Sequence, residues 1–404
     1  MTTGGDTEAE AWVLMTSEGL GLLAAVSSVN VPRPVDLVRW RKLATAGRVS
    51  AALRLAVGRR RGAGKFARAG LMWFEPTGLE QATAEPVARH KAARFAGGTG
   101  TVVDLCCGIG GDTLALAAGA NVLAVDADHG MARRALWNAR IYGVDRGVVA
   151  VRARAESFPI PSGSWVHIDP DRRARGPRAR DLDGYQPGLK FLRSLASRTP
   201  GGAIKLGPAS DFADHFGDGR FEVEVVSLGG ECKEATVWFG EPVTCRRRAT
   251  RLPDGATWTD RDGNLEGYSA FGPVLGWVFD PDPALIRAGL LDSFAIAHGL
   301  TRFAPGVDYL TGPDRVPSPF LAAFEVVAVL PLDLKRLRHE VVTRGLGPLE
   351  VKTRGVDLRP EVVRSTLKSP GGEPAVVLLA GGDGPARAIL ARRASSSHHG
   401  AIAL

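Results

Sequence analysis

Apolar and polar positions alternate with a different period in successive parts of the chain. Over residues 8–95, apolar residues recur every three or four positions, as at Leu37, Trp40 and Ala44, which is typical of amphipathic helices. From about residue 98 to 240, short apolar runs are separated by helical segments. That order predicts a parallel sheet whose strands are joined by helices.

The pattern changes again beyond residue 244. Residues 246–258 are polar and rich in turn formers, so they predict a linker or an exposed hairpin. A helix is predicted at 285–291, and strands alternate with helices from 326 to 379. The predicted architecture is a doubly wound, Rossmann-like α/β core with a helical N-terminal domain and a small α+β C-terminal domain. In chain order, the domains are predicted to span residues 1–95, 96–243 and 244–404.

The stretch TVVDLCCGIGGDTLALAAGANVLAVDAD, residues 101–128, forms the centre of the predicted core. Its two apolar runs end on Asp104 and Asp126, and a glycine-rich turn and a helical segment separate them. Glycines let the backbone approach a ligand closely and adopt dihedral angles that a side chain forbids. An acid at the end of the second strand is placed to bind a ribose diol. We therefore expect cofactor contacts at Asp104, Cys106, Gly108, Gly110, Gly111, Asp126 and Ala127.

A glycine turn of this kind also occurs in dinucleotide-binding proteins, so the turn alone does not identify the cofactor. Two details favour S-adenosylmethionine over a nicotinamide cofactor. Asp104 precedes the turn, where a carboxylate would repel a pyrophosphate but suits an ammonium group. The glycine spacing is also G-x-G-G rather than G-x-G-x-x-G.

DLCCGIGGDTLALA resembles the first motif of the class I S-adenosylmethionine-dependent methyltransferases, and most closely the branch that includes trimethylguanosine synthase. The whole chain is similar to bacterial methyltransferases with a C-terminal THUMP-like domain. Further segments that carry this resemblance are IDPDRRARG from Ile168, GGECKEATVWFG from Gly229 and KTRGVDLRPEVVR from Lys352. It implies an S-adenosylmethionine cofactor and RNA binding by the C-terminal domain. Many relatives bind the adenine amino group with an acid after the third strand, where this chain has Arg154, so Glu156 is the expected contact.

The sequence Asp169-Pro170-Asp171-Arg172 stands where amino methyltransferases carry Asn or Asp, two prolines and an aromatic residue. An exocyclic amino nitrogen is a poor nucleophile because its lone pair is delocalised. A carboxylate and a backbone carbonyl that accept its two hydrogens draw the nitrogen towards tetrahedral geometry. We therefore expect Asp169 and Pro170 to be catalytic, and Asp171, Arg172 and Arg173 to bind substrate. The stacking ring is missing, and a structural Asp-Pro turn in a basic surface loop is the alternative.

Charge is more informative by its distribution than by the net value of +8. Residues 36–68 hold ten lysines or arginines and the single acid Asp36, and residues 330–368 hold nine against five acids. Such clustering creates a local positive field that suits the phosphates of RNA. A solvated helix face is the alternative interpretation of the first cluster.

Several protein classes are not indicated by the sequence. No apolar run reaches the length of a membrane span, and the acidic start MTTGGDTEAE lacks a signal sequence. The four cysteines, Cys106, Cys107, Cys232 and Cys245, show no metal-ligand spacing. We therefore expect a cytoplasmic protein with reduced thiols, no membrane partner and no structural metal.

The predicted function is methylation of an RNA base, at an exocyclic or ring nitrogen of ribosomal or transfer RNA. One alternative is methylation of a small molecule or a protein side chain. Another is a non-catalytic scaffold that binds S-adenosylmethionine or RNA, because the motif at 169–172 lacks its aromatic ring.

Overall fold

The computed structural model describes residues 4–98, 100–172, 181–369, 371–382 and 384–394. Its contacts divide the chain into two compact units. The first unit comprises residues 1–223 and 233–244, and the second comprises residues 224–232 and 245–404. The N-terminal helices thus share a unit with the sheet that follows them, and the domain boundary near residue 95 stays a prediction.

Six helices open the first unit. They are α1 (Gly4–Met15), α2 (Ser17–Ser27), α3 (Pro34–Arg41), α4 (Ala46–Gly62), α5 (Pro76–Gln81) and α6 (Glu85–Ala93). The hydroxyl of Thr16 caps α2 by accepting a hydrogen bond from the backbone of Gly19, and Pro34 occupies the first turn of α3. Leu22, Trp40 and Leu55 pack into one apolar core with the other inward-facing residues.

The central sheet of the first unit is formed by short strands joined by helices, as the alternating pattern predicts. The elements are β1 (Thr101–Leu105), α7 (Gly111–Leu116), β2 (Asn121–Asp126), α8 (His129–Tyr142), β3 (Val148–Arg152), β4 (Trp165–Ile168), α9 (Leu189–Arg198), β5 (Gly201–Leu206), α10 (Phe212–Phe216), β6 (Phe221–Leu228) and β7 (Glu231–Gly240). The strand order is β3-β2-β1-β4-β5-β7. The first five strands are parallel, whereas β7 runs antiparallel to β5, and β6 crosses the boundary between the units.

The second unit contains a hairpin and a seven-stranded sheet with order β11-β12-β10-β13-β16-β15-β14. Its elements are β8 (Arg247–Leu252), β9 (Ala256–Thr259), β10 (Trp277–Pro281), α11 (Pro283–Arg287), α12 (Leu291–Ala297), β11 (Thr301–Arg302), β12 (Leu310–Gly312), β13 (Leu321–Pro331), α13 (Leu334–Thr343), β14 (Leu346–Arg354), α14 (Pro360–Leu367), β15 (Glu373–Ala380) and β16 (Arg387–Arg393). Alternate residues of β15 face opposite sides. Val377 and Leu379 join the core beneath α13 and α14, while Val376 and Leu378 join a second core.

The second unit contains strands that the sequence did not predict, β10 to β12 and β16, and its predicted helix also differs. The helix predicted at 285–291 is two short helices, because Gly289 has a φ of +68° and ends the first of them. Strand β16 was not predicted, and it pairs with both β13 and β15 in the interior of the sheet.

No single helix in the described part of the chain is long and apolar enough to cross a membrane. The segments Asp6–Met15 and Ser17–Ser27 are long and apolar enough to do so only when taken together, and a 95° bend separates them.

Candidate active site

Three aspartates lie in or directly after neighbouring strands, near one edge of the sheet of the first unit. Asp104 lies in β1, where it is level with Ala124 of β2 and His167 of β4. Asp126 ends β2, and Asp169 directly follows β4. Because these strands are parallel neighbours, their carboxyl ends open onto the same crevice, which is where doubly wound sheets bind ligands.

The three glycines of the turn after β1 have different structural roles. Gly108 has a φ of +55°, and a Cβ at this position would point into open space. A Cβ at Gly110 would lie 3.0 Å from the Cα of Ala135, and one at Gly111 would lie 3.2 Å from the backbone nitrogen of Thr83. Packing against protein therefore explains glycine at 110 and 111, whereas Gly108 leaves room for a ligand.

Asp126 is held by the backbone around it. Its Oδ2 accepts a hydrogen bond from the Gly108 nitrogen at 2.9 Å, and its Oδ1 accepts one from the Asp128 nitrogen at 2.9 Å. Burial raises the pKa of Asp126, and these two backbone donors oppose the shift. Each carboxylate oxygen has a second lone pair, so the group can still accept from a diol. The neighbouring Ala127 is exposed at the same edge.

Asp104 lies deeper than the sequence suggested, since the residue is only 1% exposed. Its Oδ1 lies 2.7 Å from His167 Nδ1, and its Oδ2 accepts from the Thr113 hydroxyl. Lys91 Nζ lies 3.3 Å from His167 Nε2, and because an ammonium only donates, Nε2 accepts and Nδ1–H donates to Asp104. Asp104 thus supports the turn from below, and this geometry does not offer the expected direct contact with an ammonium group.

Cys106 and Glu156 border the same crevice. Cys106 is half-buried with a φ of +58°, a left-handed conformation that is strained for a residue with a side chain. Burial and the nearby carboxylates of Asp126 and Asp169 raise the pKa of the Cys106 thiol well above its usual value. The thiol therefore stays protonated and is a poor nucleophile. Glu156 follows β3 with its side chain 38% exposed, and it lies 3.4 Å from Arg154.

Asp169 has a partner that the sequence did not suggest. Its Oδ2 accepts from Lys205 Nζ at 2.6 Å, and the Asp169 side chain is 29% exposed. Burial raises the pKa of Asp169, and the charge of Lys205 opposes that shift. The only signal for Lys205 in the sequence is a lysine within the apolar run that forms β5.

The residues after Asp169 separate into different environments. Pro170 is buried and Asp171 is exposed, with Asp171 Oδ1 accepting from Gln81 Nε2 at 3.2 Å. Arg172 is half-buried, and a Cβ at Gly207 would lie 2.5 Å from its Nη1. Arg173, which was predicted to bind substrate, lies outside the described residues, as do Arg175, Arg178 and Arg180.

A buried cluster of charges connects α6, α7 and β7 beneath this edge. Lys91 Nζ lies 2.9 Å from Asp112 Oδ1 and 2.8 Å from Glu234 Oε1, and all three side chains are at most 8% exposed. The Thr83 hydroxyl donates to Asp112 Oδ2 at 2.6 Å. Although burial raises the pKa of Asp112, the charge of Lys91 lowers it well below its usual range.

The segment from α5 to Thr83 contacts the site through Gln81, which donates to Asp171 and accepts from Lys205, and the sequence did not predict this. Lys65 Nζ donates to the carbonyls of Leu79, Glu80 and Ala82 at 2.8, 2.9 and 2.8 Å. Burial lowers the pKa of Lys65 to about 8. The N-terminal helices therefore contribute to the candidate site rather than only flanking it.

The basic cluster at 36–68 is partly used for folding. Arg54 pairs with Asp6 and Glu10, and Arg59 donates to the carbonyls of Leu71 and Met72. Exposed basic residues of this cluster are Arg39, Arg41, Lys42, Arg60, Arg61 and Arg68. Within the described ranges, no group of three or more His, Cys, Asp or Glu residues is arranged to hold a metal ion.

Comparisons with known proteins agree with this geometry. The family profile of RNA cap guanine-N2 methyltransferases matches residues 99–169, and the THUMP domain-like profile matches residues 321–393. An uncharacterized S-adenosylmethionine-dependent methyltransferase of Mycobacterium tuberculosis, from strains CDC 1551 and H37Rv, is 37% identical over 335 residues, or 80% of this chain and 89% of the relative. A release factor glutamine methyltransferase of Rhodospirillum rubrum is 35% identical over 151 residues, 33% of this chain and 45% of that protein.

A crystal structure from Porphyromonas gingivalis W83, provisionally named a methyltransferase, has the same fold. Its TM-score is 0.70 at 19% identity, and the match covers 98% of this chain and 99% of that one. The chain belongs to the S-adenosylmethionine-dependent methyltransferases, so it is an enzyme with S-adenosylmethionine as its cofactor. Within that family it carries a THUMP-like region at its C-terminal end. The predicted fold class, enzyme class and cofactor are therefore confirmed.

Proposed function

We propose that this enzyme methylates a nitrogen atom of an RNA base. The observation that carries the proposal is the carboxylate of Asp169, which stands at the crevice edge with one oxygen bound by Lys205. None of the described residues donates a hydrogen bond to the other oxygen, Oδ1. An oriented carboxylate oxygen beside the crevice is what a weakly nucleophilic N–H group requires.

In the proposed reaction, Asp169 and the backbone carbonyl of Pro170 accept hydrogen bonds from the reacting nitrogen, which gains the methyl group and then loses one proton to solvent or to Asp169. Loss of planarity localises the nitrogen lone pair, and most of the rate comes from orienting that lone pair. The ring that other amino methyltransferases place here has no counterpart in Tyr185, because the Tyr185 residue is 4% exposed and its hydroxyl contacts Ser210 at 2.6 Å. The guanidinium of Arg172 is the flat group that stands in its place.

The residues of the crevice fit S-adenosylmethionine, which supplies an electrophilic methyl group on its sulfonium when bound. Asp126 would hold the ribose hydroxyls through its remaining lone pairs, and the open face of Gly108 would admit the cofactor against the backbone. Glu156 is the acceptor proposed for the adenine amino group. Asp104 would act indirectly, by fixing the turn through Thr113 and His167.

Charge in both units supports an RNA substrate. The first unit contributes the exposed basic residues of the cluster at 36–68. In the second unit, helices α13 and α14 and the residues that flank α14 carry an exposed set of basic side chains. These are Lys335, Arg336, Arg338, Arg359, Arg364 and Lys368. Exposed arginines and lysines bind phosphates and make affinity depend on salt. By contrast, Lys352 and Arg354 are paired with Asp280 at 2.8 and 2.6 Å, so they contribute less to such a surface.

A second candidate substrate is a protein side-chain amide. The partial similarity to a release factor glutamine methyltransferase favours it, because an amide nitrogen is also delocalised and requires the same kind of acceptor. That similarity covers 33% of this chain and leaves the THUMP-like region without a role. An RNA substrate would give a role both to the methyltransferase core and to the THUMP-like region.

The decisive experiment compares the nucleosides of total RNA from cells with and without the gene by mass spectrometry. We expect one methylated nucleoside to disappear, and purified enzyme with labelled S-adenosylmethionine to restore it. Asp169→Ala should lower this transfer by on the order of a hundredfold, because the oriented acceptor is lost. Asp183→Ala, an exposed change in the same unit, is the matched control. Identical nucleosides and a lost protein methylation would favour the second candidate.

A further inference from the structure

Lys205 is an unusual residue for its place in the fold. It lies in β5, where all six residues are buried, and it is 9% exposed. A charged group removed from water in this way is costly unless it is paired and hydrogen-bonded. Its only ion pair within 4 Å among the described residues is with Asp169, at 2.6 Å.

The ammonium of Lys205 is fixed from a second direction by α5. It donates to the carbonyl of Gln81 at 3.1 Å, while Lys65 donates to the carbonyls of Leu79, Glu80 and Ala82. Two lysines thus bind four consecutive carbonyls at the end of this helix, where the partial charge is negative. This arrangement leaves Lys205 Nζ little freedom to move away from Asp169.

The other carboxylates near Lys205 have a closer cation, although their charges also raise the pKa of Lys205. Asp112 and Glu234 are already paired with Lys91 at 2.9 and 2.8 Å. Lys205 instead contacts Asp169, the aspartate that directly follows β4 at the crevice edge. Its contact occupies Oδ2 and leaves Oδ1 without a hydrogen bond from the described residues.

We propose that Lys205 is a positioning residue for methyl transfer, which holds Asp169 by Oδ2 so that Oδ1 accepts a hydrogen from the reacting N–H group. This assignment rests on the proposed function. Lys205 touches neither cofactor nor substrate in this scheme and acts through Asp169 alone. With the ammonium in place, the acceptor is both ionised and oriented before substrate binds.

Lys205→Met tests the proposal, because it keeps the length of the side chain and removes its charge and donors. Transfer of labelled methyl groups to RNA from cells lacking the gene should fall by on the order of tenfold to a hundredfold. Affinity for S-adenosylmethionine, measured by calorimetry, should be unchanged because Asp126 and Gly108 are not altered. Lys190→Met, at an exposed position of α9, is the matched control.

A pH profile separates positioning from a general structural role. The groups that face Asp169 are Lys205 on β5, Lys91 on α6, Asp112 on α7, Cys106 after β1 and Lys65 after α4. Burial raises the pKa of Asp169 and the charge of Lys205 lowers it, so removing Lys205 should raise this pKa further. The acidic limb of the rate profile should therefore move to higher pH in Lys205→Met. A structural defect would lower the rate at every pH without moving the limb.

Lys205→Gln covers the case in which the methionine variant does not fold, since an amide still donates to Asp169 and Gln81. It should have an intermediate rate and the same shift of the acidic limb. Wild-type rates, or a reduced rate with an unmoved limb, would overturn the role of Lys205 alone. Absence of transfer to RNA by the wild-type enzyme would instead overturn the proposed function, together with the assignment that rests on it.

Discussion

Replacing Lys91 by methionine should destabilise the first unit strongly, because Lys91 is the counter-ion of two buried carboxylates. Its Nζ lies 2.9 Å from Asp112 and 2.8 Å from Glu234, whose side chains are 8% and 2% exposed. A buried ion pair that loses one partner costs about 3–5 kcal/mol, since a charge is left without compensation. For a unit of this size, that loss corresponds to a fall of about 6–20 °C in melting temperature.

The measurement is thermal unfolding followed by circular dichroism, with Lys190→Met as the exposed control in the same unit. A second variant that also carries Asp112→Asn and Glu234→Gln should recover part of the loss, because the unpaired charges are removed. A melting temperature for Lys91→Met within about 2 °C of the wild type would refute the reasoning, since less than about 1 kcal/mol would then depend on the cluster.

The dependence on pH follows from the direction of each shift. The carboxylates raise the pKa of Lys91 against the effect of burial, so this contribution is full below the unfolded value of about 10.4 and is lost as pH rises through the folded value. The pKa of Asp112 is lowered, so its contribution is full above about 3.9 and is lost as pH falls. In Lys91→Met, burial raises the pKa of Asp112 with less opposition, so this carboxyl protonates more readily as pH falls. The difference in stability between wild type and Lys91→Met should therefore be similar at about pH 7 and 9 and smaller at about pH 5.

Two further predictions concern ligands. Asp126→Ala should weaken S-adenosylmethionine binding by roughly 1.5–3 kcal/mol, because a charged acceptor for hydroxyl groups is lost, and calorimetry with unchanged affinity would contradict the ribose assignment. Combined Arg60→Glu and Arg61→Glu changes should lower the slope of log affinity for RNA against log salt by about 1 to 2, as measured by filter binding. Arg59 is left intact because it donates to backbone carbonyls. An unchanged slope would exclude this surface from the RNA interface.

The order of strands and helices in the catalytic core could be predicted from the sequence. The parallel strands β1 to β5 alternate with helices between residues 101 and 206, as the apolar runs over about 98–240 predict. Short apolar runs that end on aspartate or glycine are local features, and burial on both faces of a parallel sheet imposes them. The crevice and its cofactor could be predicted from the sequence for the same reason, since the glycine turn and Asp126 are close together in the chain.

Local sequence did not reveal which basic residues are available to a partner. Arg54 and Arg59 belong to the same cluster as Arg60 and Arg61, yet the first two are bound to acids or carbonyls of the fold. The prediction of a single helix at 285–291 was wrong, because the left-handed backbone of Gly289 ends the first of two short helices there. Helical periodicity records which positions are apolar, and it carries no information on the partners of polar side chains.

The partners of Asp104 and Asp169 were decided by tertiary structure alone. Asp104 is bound by His167, and Asp169 is bound by Lys205, which α5 holds through the carbonyl of Gln81. These residues are far apart in the chain and meet only because β1, β4 and β5 are neighbours and the end of α5 packs near their carboxyl ends. Burial then makes each pairing strong, since a charge in a low-dielectric interior must find a partner wherever the fold brings one. The sequence could name the acids, but only packing determined which of them is buried as a support and which faces the crevice.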